Sequence, residues 1–202
     1  MFIVLIHAVI PRGPTRPETR LSEARSYANL AAANSYFGII PESSHTRVAC
    51  EERALDSYSN VLLSLVQFWR DHGDGAWPEQ LTIVSHAFKR ERLVDCHGGA
   101  VGFPLDRVNF VGVDPPGMLD GTNEAAVKGM AEAVTQWMED SHGKGETLAG
   151  KRRKRNPWNI SQLLFTTDAD RQRSGVRSEI HKDGQEYLIE GSPQPWSCKP
   201  AP

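Results

Sequence analysis

Apolar positions fall into short continuous runs that alternate with longer stretches of helical spacing. Residues 2–10 are almost wholly apolar and predict a buried strand. Residues 46–50, 81–85 and 107–113 predict three more strands. Between them, residues 21–36 form an Ala-rich helical segment in which Tyr27, Leu30, Ala31 and Asn34 share a face. The clearest helix covers residues 51–71, where Leu55, Tyr58, Leu62, Leu65, Val66 and Trp69 recur at helical spacing. Gly73 marks its stop. A further helix is expected over 89–97. Another runs from a cap at Asn123 to Asp140, with Val127, Met130, Val134 and Trp137 on its buried face.

Strands that alternate with helices predict βαβ units, hence an α/β fold with a mostly parallel sheet covered on both faces. Residues 141–150 read as a Gly-containing linker. The tail is polar and Pro-flanked. Within it, Lys182-Asp183-Gly184 sits between two alternating runs and signals a hairpin. A lone hairpin is marginal in water, so disorder is the competing expectation. The expected organisation is one α/β domain over 1–157 and a divergent extension over 158–202.

Composition narrows the function classes. The net charge is −2, which argues against a globally basic nucleic-acid binder. Charge is unevenly spread: residues 151–202 hold 10 Lys/Arg against 6 Asp/Glu, and residues 1–150 hold 13 against 19. No apolar run approaches the roughly 18 residues of a membrane span, so no membrane partner is expected. Residues 1–10 lack the basic start and the cleavage site of a secretory signal. The three cysteines, Cys50, Cys96 and Cys198, form no C-x-x-C pair, which points to reduced thiols in a cytoplasmic chain.

Candidate chemistry clusters where strands end, the place at which open α/β sheets bind ligands. After the first strand comes Gly13-Pro14-Thr15-Arg16. Glycine there permits close backbone approach, but the G-x-G-x-x-G and Walker A patterns are absent. Thr15 to Glu18 has capping-box spacing, and Ser22-Glu23 is a second possible helix start. At the second strand end, Glu51, Ala54, Asp56, Ser57 and Asn60 follow one another. On a helix beginning at Glu51, Glu52, Asp56 and Asn60 make one polar stripe, which equally describes a solvated face. At the third, Ser85-His86 runs into Lys89 and Arg92. Ser85 could donate to a phosphate or carboxylate, and Arg92 could hold an anion in bidentate fashion. A catalytic Ser85–His86 pair is disfavoured, because neighbours on a strand point to opposite faces. The basic run 151–155 is either a solvated, disordered stretch or a nuclear-localisation or nucleic-acid patch.

Taken in order, these motifs resemble the YdcF-like family, domain of unknown function 218, in its fungal branch. The likeness rests on Gly13-Pro14-Thr15-Arg16 with Ser22-Glu23-Ala24-x-Ser26-Tyr27, on Glu51-x-x-Ala54-x-Asp56-Ser57-x-x-Asn60, and on Val84-Ser85-His86 through Phe88-Lys89-Arg90-x-Arg92. Gly112-Val113-Asp114-Pro115-Pro116 and Lys151-Arg152-x-x-Arg155-Asn156-Pro157 extend it, so that it covers roughly residues 13–157. The resemblance implies a Rossmann-like three-layer α/β/α sandwich with a small-molecule site and, by analogy with a bacterial member, S-adenosylmethionine as a possible ligand. It implies ligand contacts from Thr15, Arg16, Asp56, Ser57, Asn60, Ser85, Lys89 and Arg92, with Glu51 the best candidate general base. Family members carry a further N-terminal strand, normally central, before the glycine turn. Only twelve residues precede Gly13 here. The chain therefore reads as N-terminally shortened, with an exposed sheet edge open to pairing with a second copy. The competing expectations are a degenerate, non-catalytic domain, or nucleic-acid contact through 151–155.

Overall fold

The computed structural model describes residues 7–73, 75–114 and 124–198. The start of the first expected strand and the expected cap Asn123 lie outside the described residues. Strand β1, Ala8–Pro11, pairs in parallel with β2, Val48–Glu51, placing Ala8 opposite Val48 and Pro11 opposite Glu51. Strand β3, Leu81–Ser85, pairs in parallel with β4, Val108–Gly112. The parallel α/β character is therefore present. The single sheet is not: among the described residues these are two separate two-stranded ladders. Nor are both faces covered. Val84 on β3 and Val111 on β4 are 68% and 42% exposed, while Leu81, Ile83, Val108 and Phe110 pack inward.

Helix α1, Glu23–Ala33, starts at the second of the two capping signals, where the Ser22 hydroxyl accepts from Arg25 N–H. It buries only Ala24. Tyr27 and Leu30 are more than half exposed, so the expected apolar face is uncovered.

Helix α2, Ser57–Asp71, holds the molecule together. It begins six residues later than its apolar spacing suggests, because Asp56 caps it: the carboxylate accepts from Ser59 N–H, and the Ser59 hydroxyl returns to Asp56 N–H. Residues 52–56 form the turn before it, so Glu52 and Asp56 do not lie on the helix and the expected polar stripe does not exist. Tyr58, Val61, Leu62, Leu63, Leu65, Val66 and Trp69 are all buried. These positions cover more than half of the helix surface, while Ser57, Asn60, Ser64, Gln67 and Asp71 share the more open face.

The remaining elements wrap α2. Residues Glu91–Gly98 form a wide π-wound turn that buries Leu93, Val94 and His97. Helix α3, Glu124–Glu139, contributes buried Trp137, with Met130 and Val134 only partly covered. Helix α4, Glu146–Lys154, takes up the end of the expected linker and most of the basic run. Helix α5, Asp168–Ser174, ends at Gly175, whose φ of 69° is the left-handed cap. Strands β5, Ser178–Ile180, and β6, Glu186–Leu188, then form an antiparallel hairpin. This hairpin is docked: Tyr187 and Leu188 are buried, and Leu164, Phe165 and Trp196 join the same core cluster as α2. Trp196 satisfies its indole by donating to Val101 O at 2.8 Å.

Candidate functional site

Three turns follow the carboxyl ends of β1, β2 and β3. The first two are stitched together by backbone. Arg12 N–H donates to Glu51 O at 2.9 Å, and Gly13 N–H donates to Ala54 O at 2.7 Å. A Cβ on Gly13 would lie 2.9 Å from Glu52 O, so only glycine allows this approach. Thr15 is partly exposed and Arg16 exposed, and the Arg16 carbonyl accepts from the Trp158 indole at 3.0 Å.

In the second turn, carboxylates are occupied from within the chain. Glu51 is 1% exposed. Its carboxylate accepts from Arg53 N–H and Nε and from Ala54 N–H at 2.8–3.1 Å. Glu52 accepts from the Ser22 hydroxyl and from Arg25. Asp56 is 5% exposed and uses both oxygens: Oδ1 takes the Ser59 donors, and Oδ2 takes Arg152 Nε at 2.7 Å. Burial opposes its ionised form, but the Arg152 guanidinium and the Ser59 donors prevail and hold the carboxyl below its usual range. Ligand contact by Asp56, or base chemistry by Glu51, would require one of these internal bonds to be given up.

Ser57 and Asn60 remain available one helical turn apart at the start of α2, both partly exposed. Asn60 Oδ1 is buried without a partner. The Ser57 hydroxyl lies 2.8 Å from Nε2 of His97. His97 is wholly buried between Tyr58 and Trp137, and its Nδ1 has no hydrogen-bond partner among the described residues. Burial, together with nearby Arg92 and against the pull of Asp56, lowers its pKa to about 3, so the ring is neutral.

The third turn supplies cations. His86 Nδ1 sits 3.1 Å from Val113 O, and Asp114 accepts from Ala87 N–H, which fastens the turn to the end of β4. Ser85 accepts from Val113 N–H through its carbonyl. Lys89 and Arg92 are partly buried, and neither forms an ion pair among the described residues. Burial, then the charges of Arg92 and Arg12, hold Lys89 below its ordinary range, with Glu23 opposing. Burial and then Arg155 lower Arg92, whose Nε is buried without a hydrogen bond. Arg12, Lys89, Arg92 and Arg155 thus form a chain of like charges, relieved at Arg12 by Glu23 at 3.3 Å.

Ser57 is joined to His97, and Lys89 and Arg92 lie within the influence of each other's charge and of Arg12's and Arg155's; sequence reasoning missed His97 and read Arg155 otherwise. His97 carries no motif. Its one signal is its position five residues after Arg92. The basic run is not a disordered tract: Arg152 is 4% exposed on Asp56, Arg153 pairs with Glu146, and Lys151 donates to Gln136. A cavity of about 20 Å³ lies away from the strand ends, lined by Tyr58, Leu62, Arg152, Leu164 and Tyr187. It has room for about one water. No helix among the described residues is long and apolar enough to cross a membrane.

The chain is 27% identical over 152 residues to the uncharacterized protein YOR238W of Saccharomyces cerevisiae. The aligned part is 70% of this chain and 48% of that protein, so the chain spans about half the length of the relative. No protein-family model matches the chain. No solved structure matches it.

Proposed function

We propose that the chain is a YdcF-like, Rossmann-like domain that binds a small anionic or nucleotide-like ligand at the ends of β1, β2 and β3. S-adenosylmethionine is nucleoside-like and carries a carboxylate, but is cationic overall at neutral pH, so the cation cluster favours anionic nucleotides over it. One observation supports the reading: Lys89 and Arg92 are partly buried cations that face each other's charge, and Arg12's and Arg155's, without an ion pair of their own among the described residues. Desolvated like charges oppose folding unless something neutralises them. A bound anion does so, with Ser57 and Asn60 available to hydrogen-bond it and Thr15, Arg16 and Ser85 at the rim.

A second reading is favoured by Glu51. The best candidate base has its carboxylate accepting from Arg53 and Ala54 within the turn. That suits a domain that keeps the fold and binds without catalysing a reaction.

Thermal melts of the full chain with pyrophosphate, a nucleotide panel and S-adenosylmethionine test the proposal. A ligand at about a hundred times its Kd adds about 2.7 kcal/mol and raises Tm by several degrees. Lys89→Met should raise Tm slightly in anion-free buffer, by removing repulsion, and should cancel the ligand response. A wild-type Tm that stays fixed across all anions, or a Lys89→Met variant that still responds, overturns the anion site.

A further inference from the structure

The wide winding of Glu91–Gly98 has a geometric consequence. A π-wound turn closes hydrogen bonds from i to i+5, so side chains five apart fall on one side, as those four apart do on an α-helix. Arg92 and His97 are five apart, and the Arg92 charge disfavours protonation of the His97 ring. The same turn carries the cation Arg92 and sets the buried imidazole of His97 2.8 Å from the Ser57 hydroxyl.

The hydrogen bond between Ser57 and His97 has two possible senses. In one, Nδ1 carries the proton and Ser57 donates to Nε2, the arrangement of a nucleophile and its base. That leaves a buried N–H on Nδ1 with no acceptor. In the other, Nε2–H donates to Ser57 Oγ and leaves only a bare lone pair on Nδ1. Orphaned buried N–H groups are the rarer and costlier case. The burial that keeps His97 neutral also makes it a poor acceptor of the serine proton.

Resting on the anion-binding reading above, we infer that His97 Nε2–H donates to Ser57 Oγ and so fixes Ser57 as a hydrogen-bond donor to a phosphate-type oxyanion held by Arg92 and Lys89. His97 is a positioning residue and Ser57 an anion-contacting one. The pair is a receptor and not a nucleophile.

Two measurements on the full chain test this. Long-range ¹H–¹⁵N spectra of the wild type should show His97 as the Nε2–H tautomer, with Nδ1 unprotonated. The Nδ1–H form overturns the assignment. Calorimetric titration with pyrophosphate should show Ser57→Ala weakened about tenfold or more, as expected for losing a hydrogen bond to a charged group. His97→Gln, which keeps a side-chain N–H, should fall between that variant and the wild type. Unchanged affinity in Ser57→Ala, with the wild type binding, overturns this inference alone. A wild type that binds no pyrophosphate overturns the anion site as well.

Discussion

On the side of α2 that faces α4 and the hairpin, every buried carboxylate meets a cation. Asp56 pairs with Arg152 at 2.7 Å and Glu186 with Arg171 at 2.8 Å, and both receive further N–H or O–H donors. At the strand ends the account runs the other way: Lys89 and Arg92 are partly buried beside other cations. The first arrangement satisfies itself, as a structural network must in a low-dielectric interior. The second has no acidic partner for Lys89 or Arg92 in an ion pair among the described residues. Residues of one charge type thus serve two ends, and only their partners in three dimensions separate them.

The sharpest way to break this contrast is to remove Arg152. Arg152→Met leaves Asp56 buried and unpaired, which costs about 3–5 kcal/mol. Equilibrium urea unfolding should place the variant far below the wild type. Lys89→Met, at the other region, should be neutral or slightly stabilising. An Arg152 variant that unfolds at the wild-type urea midpoint would mean that the Asp56 pair is not formed in solution.

Acid should expose a second, smaller difference. His97 titrates near 6.5 in the unfolded chain and at about 3 when folded. Between those values the unfolded state binds the extra proton, so stability falls as pH falls. From pH 6.5 to 5 the loss from His97 alone is roughly 1–2 kcal/mol. Burial also lowers His7 and His142, which act in the same direction. The wild-type Tm should therefore drop steadily over that window. His97→Gln should flatten the slope, and an equal slope in the variant would show that His97 is not the buried neutral ring described here.

Much of the architecture was legible from local pattern. The α2 stripe, the Leu81–Ser85 strand and the Lys182-Asp183-Gly184 turn each follow from spacing over a few residues. What escaped was set by distant partners. Nothing near Trp196 announces that its indole will reach Val101, or that residues after 158 will complete the core around α2. Arg152 sits in the middle of five consecutive basic residues, and only the fold shows that one of them is buried on Asp56. The candidate site divides the same way. Ser57, Lys89 and Arg92 were legible because strand-end polar residues are. His97 was not, because its contribution depends on the π-winding that turns it toward Ser57.

The smallest effect bears on the uncovered apolar surface. Tyr27 and Leu30 on α1 are 60% and 57% exposed, and Val84 on β3 is 68% exposed. Residues that already face water lose little when made polar, so Leu30→Gln and Val84→Thr should each change stability by less than about 0.5 kcal/mol. Solubility should improve, because exposed apolar strand surface invites association. Urea unfolding read at several protein concentrations checks both points. Should either variant lose more than about 1 kcal/mol at high concentration and nothing at low, that face is covered by a second copy in solution. The difference between the two sides of α2 would then be between a region satisfied within the chain and one satisfied by association.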